Sequence, residues 1–324
     1  MEKFSTWRDK GTGISPFMPN EFPLQQQIQF QKQQRSKISY IQTQIKIFGL
    51  YILKSILFSI KFPIFIISSL IYYLFPIKVV LKFILLVLFS FNNVNVSVDG
   101  VKRTKTDQIL QNQPNLGDII IINYISPLDG LIIHLISNVY HWKVIKLYIP
   151  DSIGRLHQYS IWEFINFSFN SKQKGKLIDE KDLSKLDLST SINFFLLEGT
   201  ASNNKAILPF IITPQIVNLL NQTSQPIKSI IVKFQPNYYT LPIPNLYSKV
   251  YYLFEILSNL SSSNFIKVKI YNINNERKDV INKVKQSFQE NNLSIISDNL
   301  DIDEKSKFIH YYLNYDLIES KKKK

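Results

Sequence analysis

Asn123-Tyr124-Ile125-Ser126-Pro127-Leu128-Asp129 lies between two apolar runs, the four isoleucines of residues 119–122 and the stretch 131–136. The isoleucine run reads as a buried strand and the run after Asp129 as a helix, so the polar residues between them form a strand-to-helix loop. Polar groups on such a loop are held by a rigid scaffold yet face open space, which is where chemistry concentrates. A second stretch has the same form. Residues 192–197, Ile-Asn-Phe-Phe-Leu-Leu, make another buried-strand pattern and run into Glu198-Gly199-Thr200-Ala201-Ser202. Either stretch alone is an ordinary turn; together they point to a functional site.

Outward from these loops, strands are expected at 94–98, where Val94, Val96 and Val98 alternate with polar residues, and at 144–149, 227–234 and 265–271. Helices are expected at 159–169, 247–257, 275–289 and 301–317, with 172–188 a charged surface connection. Strands alternating with helical segments predict an α/β protein with a mixed central sheet flanked by helices. No internal repeat is present. Four segments are expected: a polar N-terminal segment at 1–45, membrane-embedded helices or a hairpin at 46–92, the α/β domain at 93–240, and its completion with a basic tail at 241–324.

The first segment is Gln-rich between Gln25 and Gln34, a flexible or helical lead-in, and Gly11, Gly13, Pro16 and Pro19 argue against regular structure before it. From 45 to 91 the composition shifts to Ile, Leu, Phe, Val and Tyr, broken by Lys46, Lys54, Lys61, Lys78 and Lys82. The uncharged piece 62–77 is short for a crossing helix, which needs roughly 20 apolar residues. Pro63 and Pro76 suggest a hinge at each end. Basic residues flank it on both sides, which places both ends in the cytosol and favours a hairpin or in-plane helices over a single crossing.

Lys and Arg number 38 against 24 Asp and Glu, a formal net charge of +14. Such a balance fits an anionic partner, and without a helix-turn-helix, zinc-finger or RNA-recognition signature a membrane surface is the better reading than nucleic acid. No Cys occurs, which removes disulfides, thiolate nucleophiles and Cys-built metal sites. The final four lysines, Lys321 to Lys324, fit equally a retrieval signal of endoplasmic reticulum membrane proteins or a solvated, anion-binding charge run.

The two loops resemble the motifs of the glycerolipid acyltransferases, which move an acyl group from acyl-CoA to a glycerol hydroxyl. The first motif of that family is Asn-His, four residues, then Asp, usually with Ser two places after the His. Asn123, Ser126 and Asp129 match, and Tyr124 stands at the His position. The second motif reads Phe-Pro-Glu-Gly-Thr-Arg-Ser with Pro-Phe later. Glu198, Gly199, Thr200, Ser202, Pro209 and Phe210 match, Leu196 and Leu197 replace Phe-Pro, and Ala201 replaces Arg. Residues 7–17 (Trp-Arg-Asp-Lys-Gly-Thr-Gly-Ile-Ser-Pro-Phe), 163–167 and the helix beginning Leu300-Asp301 are similar to the fungal branch of the family, lysophosphatidic acid:oleoyl-CoA acyltransferases of endoplasmic reticulum and lipid droplets. That branch also lacks the His.

The resemblance implies a membrane-bound enzyme making phosphatidic acid from lysophosphatidic acid and a long-chain, oleoyl-type acyl-CoA, with its catalytic domain facing the cytosol. Acyl-CoA is a co-substrate; no metal and no bound cofactor are implied. In the family the His takes the hydroxyl proton and the Asp orients it. A Tyr, with a reference pKa of ~10, does not simply replace it. Three roles are open to Tyr124: an orienting group in an enzyme whose base is Asp129 or a water held by it, a bystander to an imported His (His134, His141, His157 or His310), or part of a silent site that only binds lipid. The resemblance implies that Asn123, Tyr124, Ser126 and Asp129 line the acceptor hydroxyl, and that Glu198, Gly199, Thr200, Ser202 and Lys205 form the phosphate side. Taken alone, Lys205 reads as a solvated surface lysine. A catalytically inactive lipid-binding or trafficking scaffold is the alternative to the enzyme.

Overall fold

The computed structural model describes residues 4–23, 26, 37–172, 174–178, 188–261, 263–273 and 279–315. The lysine tail and most of the Gln-rich stretch lie outside the described residues. The centre is an eight-stranded sheet in the order β1-β9-β8-β2-β6-β3-β4-β5. Its middle is parallel: β2 (Ile119–Ile122) lies between β6 (Ile192–Phe195) and β8 (Ile227–Gln235), and β3 (Ile145–Pro150) runs parallel to β6. Antiparallel pairs finish the edges: β9 (Phe265–Asn272) against β8, and β4 (Leu156–Tyr159) between β3 and β5 (Lys176–Leu177). β1 (Asn93–Val98) lies parallel to β9 at the far edge. A separate parallel pair joins β7 (Ala206–Ile207) to β10 (Ser294–Ile295). The fold is therefore the mixed α/β sheet with flanking helices that the sequence predicts.

The unbroken isoleucine run of β2 follows from its position, because a parallel strand covered on both faces needs apolar residues at every place. Ile120 and Ile122 enter one core and Ile119 and Ile121 the other. The first core is built with α1 (Lys37–Leu74), α2 (Lys78–Phe83), α4 (Asp129–Ile136), α5 (Ile161–Phe169) and α7 (Lys249–Leu257), with α3 (Thr106–Gln111) against β1. The second is closed by α6 (Pro214–Gln222) and α8 (Val280–Gln289). A third, smaller core forms around α9 (Ile302–Leu313).

Helix α1 has 38 residues, about 57 Å at 1.5 Å per residue, longer than the roughly 30 Å of a bilayer's hydrocarbon core. The stretch Ile41–Leu74 has a mean hydropathy of 1.9, and in its most apolar window only 6% of residues are buried. Ile45, Phe48, Ile52, Ile56, Ile60 and Ile67 all point outward. A core helix would hide such a face, so this exposed apolar helix marks membrane association. The chain breaks at residues 75–77, beside Pro76, and α2 with the π-turn Ile84–Leu88 folds back: Lys61 Nζ donates to the Leu88 carbonyl at 3.1 Å and to Ser90 Oγ at 2.8 Å. The hinge expected at Pro63 is absent, and α1 runs through it. Proline removes one backbone donor, and the packing of Phe58, Phe62 and Phe65 on the first core outweighs that loss. The buried Lys54–Glu255 ion pair fastens α1 to α7.

Residues 4–23 lack regular structure apart from a 3-10 turn at Ser5–Trp7, yet they pack firmly. Phe17 is fully buried in the α9 core, and Asp9 is buried with Oδ1 accepting from Ser297 N at 3.2 Å and Ser297 Oγ at 2.7 Å. Two hydrogen bonds from Thr12 reach the other oxygen of Asp9. These bonds hold its carboxyl far below the usual range even though burial pushes the other way.

Candidate functional site

Both loops leave the sheet at the C-terminal ends of neighbouring parallel strands, β2 and β6, where open α/β sheets place their ligands. In the first loop most polar side chains are committed to holding backbone. Asn123 clamps the loop to β8: its Nδ2 donates to the Val232 carbonyl at 2.9 Å and its Oδ1 accepts from Val232 N at 2.8 Å. Ser126 Oγ donates to the Tyr239 carbonyl at 2.9 Å and lies 3.2 Å from the Tyr252 hydroxyl. Tyr124, 2% exposed, packs its ring 5.1 Å from that of Phe164, tilted by 51°, and donates its hydroxyl to Ser168 Oγ at 2.8 Å. Burial drives its pKa still further above the ordinary tyrosine value, so it stays protonated.

Asp129 is the first residue of α4 and is fully buried. Its Oδ2 accepts from Ile125 N at 2.8 Å and Ser126 N at 2.9 Å, and its Oδ1 has no partner. Desolvation raises its pKa to about 7 against those two backbone bonds. A carboxylate with one oxygen fixed, the other unpaired and a pKa near neutrality is suited to take and return a proton.

Glu198 ties the two loops together. Its Oε1 accepts from Tyr124 N and its Oε2 from Leu208 N, both at 2.8 Å. Burial lifts its pKa to about 8, opposed by these two bonds and by the charge of Lys305. Ser202 N in turn donates to the Tyr124 carbonyl at 2.8 Å, while Ser202 Oγ is buried without a partner. Gly199 has φ +65°, in the left-handed region, and a Cβ there would lie 2.5 Å from Ile302 Cδ1 and 2.8 Å from the Pro150 carbonyl oxygen. Only glycine lets the loop approach α9 so closely.

That approach brings in a residue the sequence reading did not single out. Lys305 of α9, 1% exposed, donates from Nζ to Thr200 Oγ1 and to the Ala201 carbonyl, each at 2.6 Å. Burial lowers its pKa to about 7, and the Glu198 charge works against the fall. A cation therefore stands beside the loop position where the resemblance expects Arg and the chain has Ala201. Lys205, the lysine singled out from sequence, is exposed, and the loop's backbone carries it outward. The visible signal for Lys305 was only the family likeness of the helix beginning Leu300-Asp301; a separation of 105 residues from Thr200 hides the pairing.

No histidine enters the site. His134 faces α1, bonded to the Tyr72 hydroxyl and the Tyr140 carbonyl, and burial lowers its pKa to about 4. His157 lies 3.4 Å from Asp151, His141 accepts from Lys143 N, and His310 is exposed on α9.

The fold and the loops define a membrane-associated α/β protein with a carboxylate, a second buried acid and a buried cation at the ends of its central strands. No family model matches the chain. Lysophosphatidic acid:oleoyl-CoA acyltransferase 1 of Saccharomyces cerevisiae is 30% identical over 213 residues, which is 66% of this chain and 62% of that protein. A Schizosaccharomyces pombe protein provisionally named for the same activity is 25% identical over 311 residues, 89% of this chain and 93% of its own length. A solved lysophosphatidic acid acyltransferase from Thermotoga maritima aligns with 82% of this chain and 88% of its own at 14% identity, with a TM-score of 0.30, too low to carry a structural comparison. The chain spans less than two thirds of the first of these relatives, and the likenesses support the glycerolipid acyltransferase resemblance that the two loops carry.

Proposed function

We propose that the protein transfers a long-chain acyl group, of the oleoyl type, from acyl-CoA to the free hydroxyl of lysophosphatidic acid, giving phosphatidic acid and CoA. Asp129 is the base: its unpartnered Oδ1 takes the hydroxyl proton as the hydroxyl oxygen attacks the thioester carbonyl, and the same proton then goes to the departing thiolate. Asn123, Ser126 and Tyr124 hold the backbone that aims Asp129. Thr200 and Lys305 form the cationic side for the acceptor phosphate; Glu198 and Gly199 shape it, with Ser202 Oγ as a further polar group. The reaction needs no metal or bound cofactor beyond the acyl-CoA co-substrate. The protein works on the cytosolic face of the endoplasmic reticulum and on lipid droplets, and the exposed helix α1 and its return segment support embedding from one side.

The observation that carries this reading is the Asp129 carboxyl, buried with one oxygen unpaired and a pKa near 7. Incorporation of labelled oleoyl-CoA into phosphatidic acid by purified protein tests it. The alternative, a silent lipid-binding scaffold, draws support from Tyr124, whose hydroxyl is bonded to Ser168 and whose raised pKa disqualifies it as a base. That scaffold would bind membranes and make no phosphatidic acid, whichever lysophospholipid is offered.

A further inference from the structure

The edge of the sheet farthest from β5 carries a groove of about 900 Å³ that the acyl-transfer chemistry does not use. Its floor is β1, β9 and β8, one wall is α3 with Arg103, and the other is the end of α8 at residues 290–292. Register sets the floor chemistry. Asn95 pairs with Lys267, and Lys267 pairs directly with Lys233, so two lysines sit opposite each other in adjacent strands. In the next row Ser97 pairs with Lys269. Like charges directly opposite across a strand pair destabilise a sheet.

The compensation within the protein is partial. Lys269 has a carboxylate, Asp99, at 3.0 Å, and Lys267 lies over the Phe265 ring at 4.9 Å. Lys233 donates to the Asn291 carbonyl. Glu290, the acid in the wall, accepts from Gln286 at 3.1 Å. Among the described residues no carboxylate pairs with Lys233 or Lys267. Burial and the neighbouring Lys267 both lower the pKa of Lys233, as expected for a cation facing another without a counter-ion.

We propose that this groove binds a phosphate-bearing ligand, with Lys233 and Lys267 gripping the phosphate, Asn95 and Arg103 at its margin, and Ile109 and Leu110 against its less polar part. The source is a soluble molecule rather than a lipid head group. Ile230 and Val232 of β8 face the core that α1 helps build, whereas Ile231, which lines the groove, belongs to the opposite core. The lysine side of the groove thus faces away from the membrane helix, while Ile109 of its wall packs with the first core. The groove also adjoins the acyl-transfer loops through β8, since Lys233 follows Val232, the residue clamped by Asn123.

Calorimetric titration of the protein in detergent with inorganic pyrophosphate, and separately with ADP, neither of them a substrate or product of the proposed acyl transfer, tests the proposal without reading activity, so its failure is distinct from failure of the acyltransferase reading. Saturable binding is expected, weakened at least about tenfold in the Lys233→Gln/Lys267→Gln double variant and unchanged in Lys172→Gln/Lys176→Gln, an equal charge loss elsewhere. Lys267→Gln alone should raise the melting temperature of ligand-free protein, because it removes the like-charge pair while leaving an exposed position. Phosphatidic acid vesicles at equal phosphate should not displace pyrophosphate. Equal binding by wild type and double variant would overturn the site, as would no binding at all. Displacement by the vesicles with no binding of ADP would overturn the soluble source.

Discussion

The loop after β2 and the loop after β6 reach the same place by different means. Residues 123–129 are self-contained: Asp129 holds its own loop through Ile125 N and Ser126 N, and one unpaired oxygen remains for chemistry. Residues 198–202 are assembled from afar. Their cation comes from α9, their close approach depends on Gly199, and α9 is held down by residues 4–18, whose Phe4, Trp7 and Phe17 surround Phe308. Chemistry written within seven consecutive residues survives inspection of a sequence, whereas chemistry written across a hundred does not.

Breaking the self-contained loop gives the largest expected effect. Asp129→Asn keeps size and removes the base, so acyl transfer should fall by about 10²–10⁴-fold while membrane sedimentation is unchanged. Next comes the imported cation. Lys305→Met should raise KM for lysophosphatidic acid by about 10–100-fold, with a smaller effect on kcat, and Lys305→Arg should recover part of it; this follows from loss of a charge-assisted bond of roughly 1.5–3 kcal/mol. A kcat effect as large as that of Asp129→Asn would place Lys305 in the proton-transfer step instead.

The pH profile separates the loops further. Asp129 serves as base only when ionised, so with its pKa raised to about 7 the rate should climb as pH rises through neutrality. Lys305, with its pKa lowered to about 7, loses charge over the same range, so the profile should be a narrow bell whose apparent values belong to the coupled cluster. Lys305→Arg, always charged, should extend the alkaline limb and leave the acid limb in place. The smallest effect is expected from Tyr124→Phe. Loss of the Ser168 bond should cost about 1 kcal/mol in denaturant-monitored stability and only a few-fold in rate.

How much was legible in advance follows the same division. The strand at 119–122 was visible because a central parallel strand must be apolar throughout, those at 144–149, 227–234 and 265–271 because short runs rich in β-branched and aromatic residues stand between turn signals, and the helices now seen as α7 and α9 because their apolar faces repeat at helical spacing. Helix α6 was not foreseen, although Thr213 caps it and Pro214 opens it. The pairing of β1 with β9, some 170 residues later, leaves no local trace. Nor does the anchoring of residues 4–23, where glycines and prolines signal irregular backbone correctly but say nothing of its burial. Lys205 was the visible lysine near the second loop, and the fold turns it to solvent while Lys305 arrives through tertiary packing alone.

The most direct measurement is phosphatidic acid formation from labelled oleoyl-CoA and lysophosphatidic acid by the purified protein, run beside Asp129→Asn. Product from wild type with at least about a hundredfold loss in the variant, and equal membrane attachment of both, is the expected result. Product formed at equal rates by the two proteins would contradict a base at Asp129, and no product above an empty-vector preparation would contradict the enzyme itself.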